Sequence, residues 1–246
     1  MTSEEWPELR QVYLSRIRDM IEGQREMPSV IYRERGPEWH RSEFDLCLLP
    51  AVYRRQMPEP PESDEAILVF LRGRVVERAM ATEAKPICLD DIWMTIDDGN
   101  PPFGLKVVEI KSTEWGMHNF EPLPHWIDRG MSYCYGTKTT EMGLVVFFLS
   151  GNKPDFNEWR AEKRPPKDTP RIKAGIRAWR LRFEEGELEA HWEDVLKRKR
   201  WCEGILVGGE VDRAYVDLHR PPWQCGGCQW AELCEYKHQK TERVKQ

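Results

Sequence analysis

Residues 87–113 read ICLDDIWMTIDDGNPPFGLKVVEIKST. Two apolar, β-branched runs, Ile87 to Ile96 and Leu105 to Ile110, flank the turn-forming cluster Asp98-Gly99-Asn100-Pro101-Pro102. This pattern predicts a β-hairpin with a long loop, and so two adjacent strands. Alternate side chains of a strand share a face, so Glu109 and Lys111 stand together while Val108 and Ile110 point into a core. Pairing across the loop brings Asp91 toward Glu109. Two carboxylates in one place repel unless a proton or cation joins them. A hard divalent ion, Mg²⁺ or Mn²⁺, fits such a pair, because it takes oxygen ligands and needs only one or two carboxylates. Lys111 is then placed to orient a water or to offset charge developing on a phosphate. Asp91 is preferred over Asp97 and Asp98 because it precedes an apolar run, whereas the other two have the chemistry of turn residues. An isolated E-x-K is otherwise the solvated face of an edge strand, so its meaning depends on what surrounds it.

Upstream, Thr2 and Glu5 have capping-box spacing, and Trp6, Leu9, Val12, Tyr13, Ile17, Met20 and Ile21 recur at helical spacing, which predicts a helix to about Gly23. Ser42 is a candidate N-cap for a short helix carrying Phe44, Cys47, Leu48 and Tyr53. After Pro58-Glu59-Pro60-Pro61, Ser63 opens a longer helix to about Glu83, on which Gly73 and Glu77 lie one turn apart. A mid-helix Glu is ordinarily solvated, but this helix leads into the carboxylate strands, so Glu77 is a candidate for the same metal. Downstream, Pro124 to Thr140 reads as a helix with Arg129 and Tyr133 one turn apart, and Gly143 to Ser150 as a buried strand. The order of elements gives an α/β core with a mixed sheet.

Nine Lys or Arg against two Asp or Glu occupy Arg160 to Arg182, with Trp159 and Trp179 interleaved. Ile172, Ala174, Ile176 and Ala178 alternate with Lys173, Gly175 and Arg177, which predicts a strand with a basic face. That face is either a groove for phosphates and stacked bases or a solvated edge. A helix from about Glu187 to Cys202 follows, carrying Lys197-Arg198-Lys199-Arg200.

The chain has 246 residues and a net charge of -5. The length allows a substantial core, and the charge excludes a uniformly cationic coat, so nucleic acid would have to bind at local patches. The N-terminus MTSEEWPELR lacks a signal-peptide pattern, and no apolar run reaches membrane-spanning length, which predicts a cytoplasmic protein without membrane contact. Seven cysteines, an odd number without an export signal, point to metal or cluster binding rather than disulfides. Cys225, Cys228 and Cys234 form a C-x2-C-x5-C arrangement in need of a fourth ligand, for tetrahedral zinc or for a [4Fe-4S] cluster, and Cys47 is an upstream candidate.

Taken together, these residues resemble the PD-(D/E)XK nucleases of the RecB-like iron-sulfur type, especially the CRISPR-associated exonucleases, over roughly Ser42 to Cys234. Ser42 to Cys47 followed by Tyr53 looks like the family's first-cysteine helix. Gly73-Arg74-Val75-Val76-Glu77 is similar to its G-x-x-x-H helix, with Glu in place of His. Asp91, Glu109 and Lys111 match the metal-binding Asp and the E-x-K. Arg129-x-x-x-Tyr133 occupies the place of Q-x-x-x-Y, and Cys225, Cys228 and Cys234 that of the terminal cysteine triplet.

The resemblance implies a restriction-endonuclease-like mixed β-sheet core flanked by helices, with an iron-sulfur cluster joining the N- and C-terminal helical parts. On that reading residues 1–60 form an N-terminal helical part, 61–185 the nuclease core and 186–246 a C-terminal helical part, within one compact domain. It implies Mg²⁺- or Mn²⁺-dependent exonucleolytic cleavage of DNA, single-stranded or at frayed ends. Asp91, Glu109, the Ile110 carbonyl and Glu77 would hold the metal, Lys111 would act beside it, and Arg129 and Tyr133 would position the strand. Cys47, Cys225, Cys228 and Cys234 would ligate a structural [4Fe-4S] cluster, which would close a loop of most of the chain. CRISPR integrase proteins are then candidate partners, and self-association into a homo-oligomer is left open. The rival readings are a non-catalytic DNA-binding scaffold, a site-specific endonuclease of the same superfamily, and a zinc-binding interaction domain.

Overall fold

Residues 85–96, rather than 87–110, make the hairpin. The computed structural model describes residues 1–21, 38–58, 85–113, 120–149, 175–219 and 228–235, together with Gly73, Val75, Val76, Met80, Gln224 and Cys225. In chain order these form β1 (Thr2–Glu5), α1 (Pro7–Ile21), β2 (Trp39–His40), α2 (Leu49–Gln56), β3 (Lys85–Leu89), β4 (Ile92–Ile96), β5 (Val108–Thr113), α3 (Pro124–Thr137), β6 (Glu141–Phe148), β7 (Gly175–Arg182), α4 (Glu185–Leu206) and α5 (Arg213–His219), with 3₁₀ turns at Arg41–Phe44 and Pro102–Gly104.

Strands β3 and β4 pair antiparallel, Cys88 opposite Trp93 and Leu89 opposite Ile92. Asp90 and Asp91 close them at φ 48° and 60°. A two-residue turn with both φ values positive matches the twist of the flanking strands, and Asp tolerates that region better than most side chains. The apolar run from Ile87 to Ile96 is thus two strands, and the Asp-Asp pair inside it is the turn. The other edge of β4 takes β2 in parallel, giving the order β2-β4-β3. Strand β5 belongs to a second sheet, ordered β1-β7-β6-β5, where it runs parallel to β6 while β7 is antiparallel to both β6 and β1. The mixed sheet and the α/β class agree with the sequence reading.

Helix α3 connects the parallel pair β5 and β6. Pro124 sits in its first turn, where a missing N–H costs nothing, and Lys138 ends it in the left-handed region at φ 52°. Gly130 lets the helix lie close on β6, since a Cβ there would overlap the end of the Met142 side chain. One apolar core lies on this side of the sheet, where Leu144, Val146, Trp179 and Leu181 meet Tyr133 and Cys134 of α3, Ile92 and Met94 of β4, and Trp192 and Val195 of α4. A second core lies on the opposite face, where Leu9 and Tyr13 of α1 cover Val108, Ile110, Val145, Phe147, Ile176 and Ala178. Burying each such aliphatic side chain contributes about 1.5–3 kcal/mol.

The N-terminus departs from its capping-box reading. Thr2–Glu5 is a strand paired with β7, and the helix begins at Pro7, because proline suits a first helical turn and holds the preceding Trp6 extended. Residues 1–60 are therefore not solely helical, since β1 is a member of the sheet. The short helix predicted from Ser42 is likewise split. Residues 41–44 form a 3₁₀ turn and Pro50 lies in the first turn of α2, leaving Cys47 in the connection before it. Gly73, Val75, Val76 and Met80 are helical. Glu77, Ser63, Trp159 and the basic residues from Arg160 to Lys173 lie outside the described residues. In β7, Arg177 and Arg180 are half-buried and engaged at home, Arg177 on the Phe120 carbonyl at 2.9 Å and Arg180 on Glu141 at 2.9 Å. No described helix is long and apolar enough to cross a membrane.

Candidate active site

Among the described strands β5 is the last of its sheet, and Glu109 and Lys111 leave it on the face covered by α3. The side of β5 away from β6 meets Asp97, the first residue after β4. The Ile110 N–H donates to Asp97 Oδ2 at 2.8 Å, so the carboxylate occupies a place a neighbouring strand would otherwise take. Lys111 Nζ lies 3.4 Å from Asp97 Oδ2, 2.5 Å from Glu109 Oε1 and 3.1 Å from the Ile110 carbonyl, to which it donates. Two carboxylates and a backbone carbonyl thus surround one ammonium.

Glu109 is fully buried, and neither carboxylate oxygen has a hydrogen bond of normal geometry among the described residues. Its contacts are the ion pair with Lys111 and a longer one to Arg129 Nη1 at 3.8 Å. Burial, and after it the Asp97 charge, push its pKa up to about 8 against the pull of Lys111 and Arg129. Burial alone would lower the Lys111 pKa, but Asp97 and Glu109 outweigh it and raise it. The site therefore carries a charged lysine beside a carboxyl that is reluctant to ionise until a further cation arrives.

Helix α3 supplies the opposite wall. Arg129 donates through Nε to Asp45 Oδ2 at 2.9 Å and again through Nη2. Asp45 is also bound by Arg41 Nη1 at 2.5 Å. Burial would raise the Asp45 pKa, yet Arg129 and Arg41 hold it below the ordinary range. Tyr133, one turn after Arg129, is buried, and burial followed by the Glu109 charge lifts its phenol well above its usual value. His125 is half-buried at the start of α3, its pKa lowered by burial and by Arg129 and Lys111 despite Asp45.

Glu109, Lys111, the Ile110 carbonyl and Arg129 lie together, and Tyr133 is near enough to feel the Glu109 charge. Asp91 is not among them. It caps the β3–β4 turn with its side chain 94% exposed and Lys199 Nζ 3.7 Å away, because β4 pairs with β3 and not with β5. Asp97, set aside as a turn residue, takes the place expected of Asp91. Its signal was its position at the end of the apolar run Ile92 to Ile96, where a strand delivers a side chain onto its neighbour. Asp45 and His125 were also missed, and no local motif marks either. The adjacent Asp98 is structural, accepting from Tyr13 Oη at 2.6 Å and Arg16 Nη1 at 2.5 Å on α1.

No family model matches the chain, and no curated protein does. Among solved structures, the one titled "Crystal structure of SSO0001" is similar. Its TM-score is 0.43 at 14% identity, covering 93% of this chain and 98% of that one. A likeness of that size fixes neither family nor function.

At a distance from these carboxylates in sequence, Cys47, Cys225, Cys228 and Cys234 line one cleft, partly open to solvent, with Leu49, Pro50, Tyr53, Gln224, Trp230 and Ala231. Gln224 accepts the Cys47 N–H at 3.0 Å, and Tyr53 Oη donates to Cys234 Sγ at 3.7 Å. The Cys234 N–H donates to the Trp230 carbonyl at 2.9 Å, folding the last three cysteines into one turn region. The remaining cysteines are elsewhere: Cys134 and Cys202 are buried in the core and Cys88 is exposed on β3. Among the described residues no three His, Cys, Asp or Glu side chains gather at the spacing of a single metal ion.

Proposed function

We propose that the chain is a divalent-metal-dependent nuclease that hydrolyses DNA phosphodiesters at single-stranded or frayed ends. The observation that carries this reading is the convergence of Asp97 and Lys111 on a buried Glu109 whose carboxylate oxygens have no normal hydrogen bond. A buried carboxylate in that condition fits a cation, and one or two carboxylates with a carbonyl are the usual protein share of a Mg²⁺ or Mn²⁺ site. Asp97, Glu109 and the Ile110 carbonyl would hold the ion, in place of the set built on Asp91. The bound ion would supply Lewis-acid polarisation of the phosphate and a water of lowered pKa.

The chain's own groups do the rest. Lys111 orients the attacking water and offsets charge on the phosphoryl oxygens, since its ammonium already lies within reach of both carboxylates. Arg129 is planar, charged and partly exposed, so it positions a phosphate on the α3 side. Tyr133 keeps its proton at any physiological pH and acts as a hydrogen-bond donor rather than a base.

Four cysteines on one cleft are the ligand set of a [4Fe-4S] cluster, the group that the resemblance implies. Joining Cys47 to the C-terminal triplet would make cluster binding part of folding. The nuclease is tested by cleavage of end-labelled single-stranded and duplex DNA with Mn²⁺, Mg²⁺ or EDTA. Metal-dependent degradation abolished by Glu109→Ala and Lys111→Ala, in folded iron-containing protein, supports it. No cleavage by natural protein of full iron content returns the reading to a DNA-binding scaffold.

A further inference from the structure

Trp230 lines the cysteine cleft and is 1% exposed, yet its indole Nε1–H has no acceptor among the described residues. An indole nitrogen only donates, and a buried donor is rarely left without a partner. Tyr53 packs on the Trp230 ring with centroids 5.8 Å apart at 47°, and the Trp230 carbonyl accepts the N–H groups of Leu233 at 3.1 Å and Cys234 at 2.9 Å. The side-chain acceptors lining the cleft are Gln224 Oε1, which already accepts the Cys47 N–H, Tyr53 Oη, which is turned to Cys234 Sγ as a donor, and the four cysteine sulfurs.

We infer that Trp230 Nε1–H donates a hydrogen bond to a sulfur of the group held by Cys47, Cys225, Cys228 and Cys234, either a cysteine thiolate or a cluster sulfide. This rests on the cluster reading above. Tyr53 Oη already donates to Cys234 Sγ, so the cleft presents a second donor of the same kind. Donors to cluster sulfur stabilise the reduced, more negative state and raise the reduction potential. Trp230 is thus a tuning residue of the cluster as well as a packing residue of the turn.

The test uses anaerobically purified full-length protein, natural and Trp230→Phe, with iron and sulfide content, reduction potential and the magnetic resonance spectrum of the reduced cluster measured on each. Phe keeps the ring and removes the N–H. The expected result is equal iron, a more negative potential, and an indole ¹⁵N hyperfine coupling in ¹⁵N-tryptophan-labelled natural protein that Trp230→Phe lacks. Equal iron with unchanged potential and no ¹⁵N coupling overturns the inference while leaving the cluster standing. If Trp230→Phe does not fold, absence of the coupling in the labelled natural protein overturns it alone. Natural protein that takes up zinc or no iron after reconstitution removes the cluster reading and this inference together.

Discussion

Asp45 holds Arg129 through Nε at 2.9 Å and through Nη2, while the Nη1 of the same guanidinium lies 3.8 Å from Glu109 Oε1. Arg129 is therefore shared between a residue two positions from Cys47 and the carboxylate of the candidate site. Replacing Asp45 by Asn removes the carboxylate that pairs both Arg41 and Arg129. The expected cost is about 3 kcal/mol in urea unfolding. The double variant Asp45→Asn, Arg129→Gln should recover part of it, with a coupling of roughly 1–3 kcal/mol. Strict additivity of the two losses would show that the pair is not energetically linked.

Asp97 and Asp91 separate the two arrangements of the metal site. Asp97→Asn should weaken Mn²⁺ binding and reduce metal-dependent cleavage by about 100-fold or more, the scale of losing one essential electrostatic contact. Asp91→Asn should leave both within about twofold, because its side chain is 94% exposed in the β3–β4 turn and a long ion pair made by so exposed a carboxylate contributes little. Titration with Mn²⁺ alone distinguishes them without relying on turnover. The opposite ranking would restore Asp91.

The legibility of the chain follows from the range of the interactions involved. Local signals located α3, β6, β7 and α4 to within a few residues, because Pro124 at a first helical turn, the apolar run in β6 and the alternation in β7 act over short stretches of chain. The E-x-K face was legible for the same reason. Which strand lies beside β5 was not, since Asp97 reaches it from a different sheet and the sequence between them reads like a hairpin loop. Asp45 and His125 share the site only through the packing of α3, and no spacing rule connects residues 45, 109, 125 and 129. Cys47 and the C-terminal triplet were paired by resemblance, and the fold places them on one cleft.

His191 should set a limb of acid instability. Its Nε2 faces Ser132 Oγ at 3.0 Å and Arg41 Nη2 at 3.3 Å, and burial with Arg41 and Arg198 lowers its pKa to about 4, Asp194 and the Asp128 backbone opposing. Below its ordinary value of 6.5 the unfolded chain binds a proton that the folded chain refuses. Its contribution is therefore whole above pH 6.5 and is lost as pH falls toward 4, at most about 3 kcal/mol. Unfolding free energy measured between pH 7 and 4 should fall less steeply in His191→Gln. An unchanged slope would assign the limb to other groups.

Tyr13 and Arg16 anchor the segment that presents Asp97. Tyr13→Phe removes the hydroxyl that donates to the buried Asp98 carboxylate. The expected destabilisation is about 1.5–3 kcal/mol, the range of a hydrogen bond to a charged group. Urea unfolding of the variant measures it, and a loss below about 0.5 kcal/mol would show that Arg16 and the other partners of Asp98 suffice.

The place of Asp97 on the rim of β5 also bears on solubility. An edge strand with an open N–H is a template on which a strand from another molecule can pair, and proteins suppress this with charge at the edge. By accepting the Ile110 N–H, Asp97 keeps that position from recruiting a second chain. Its removal would leave a strand ready for intermolecular pairing, so variants at residue 97 should show a rise in aggregation that variants at Glu109, which points inward from the same strand, do not share.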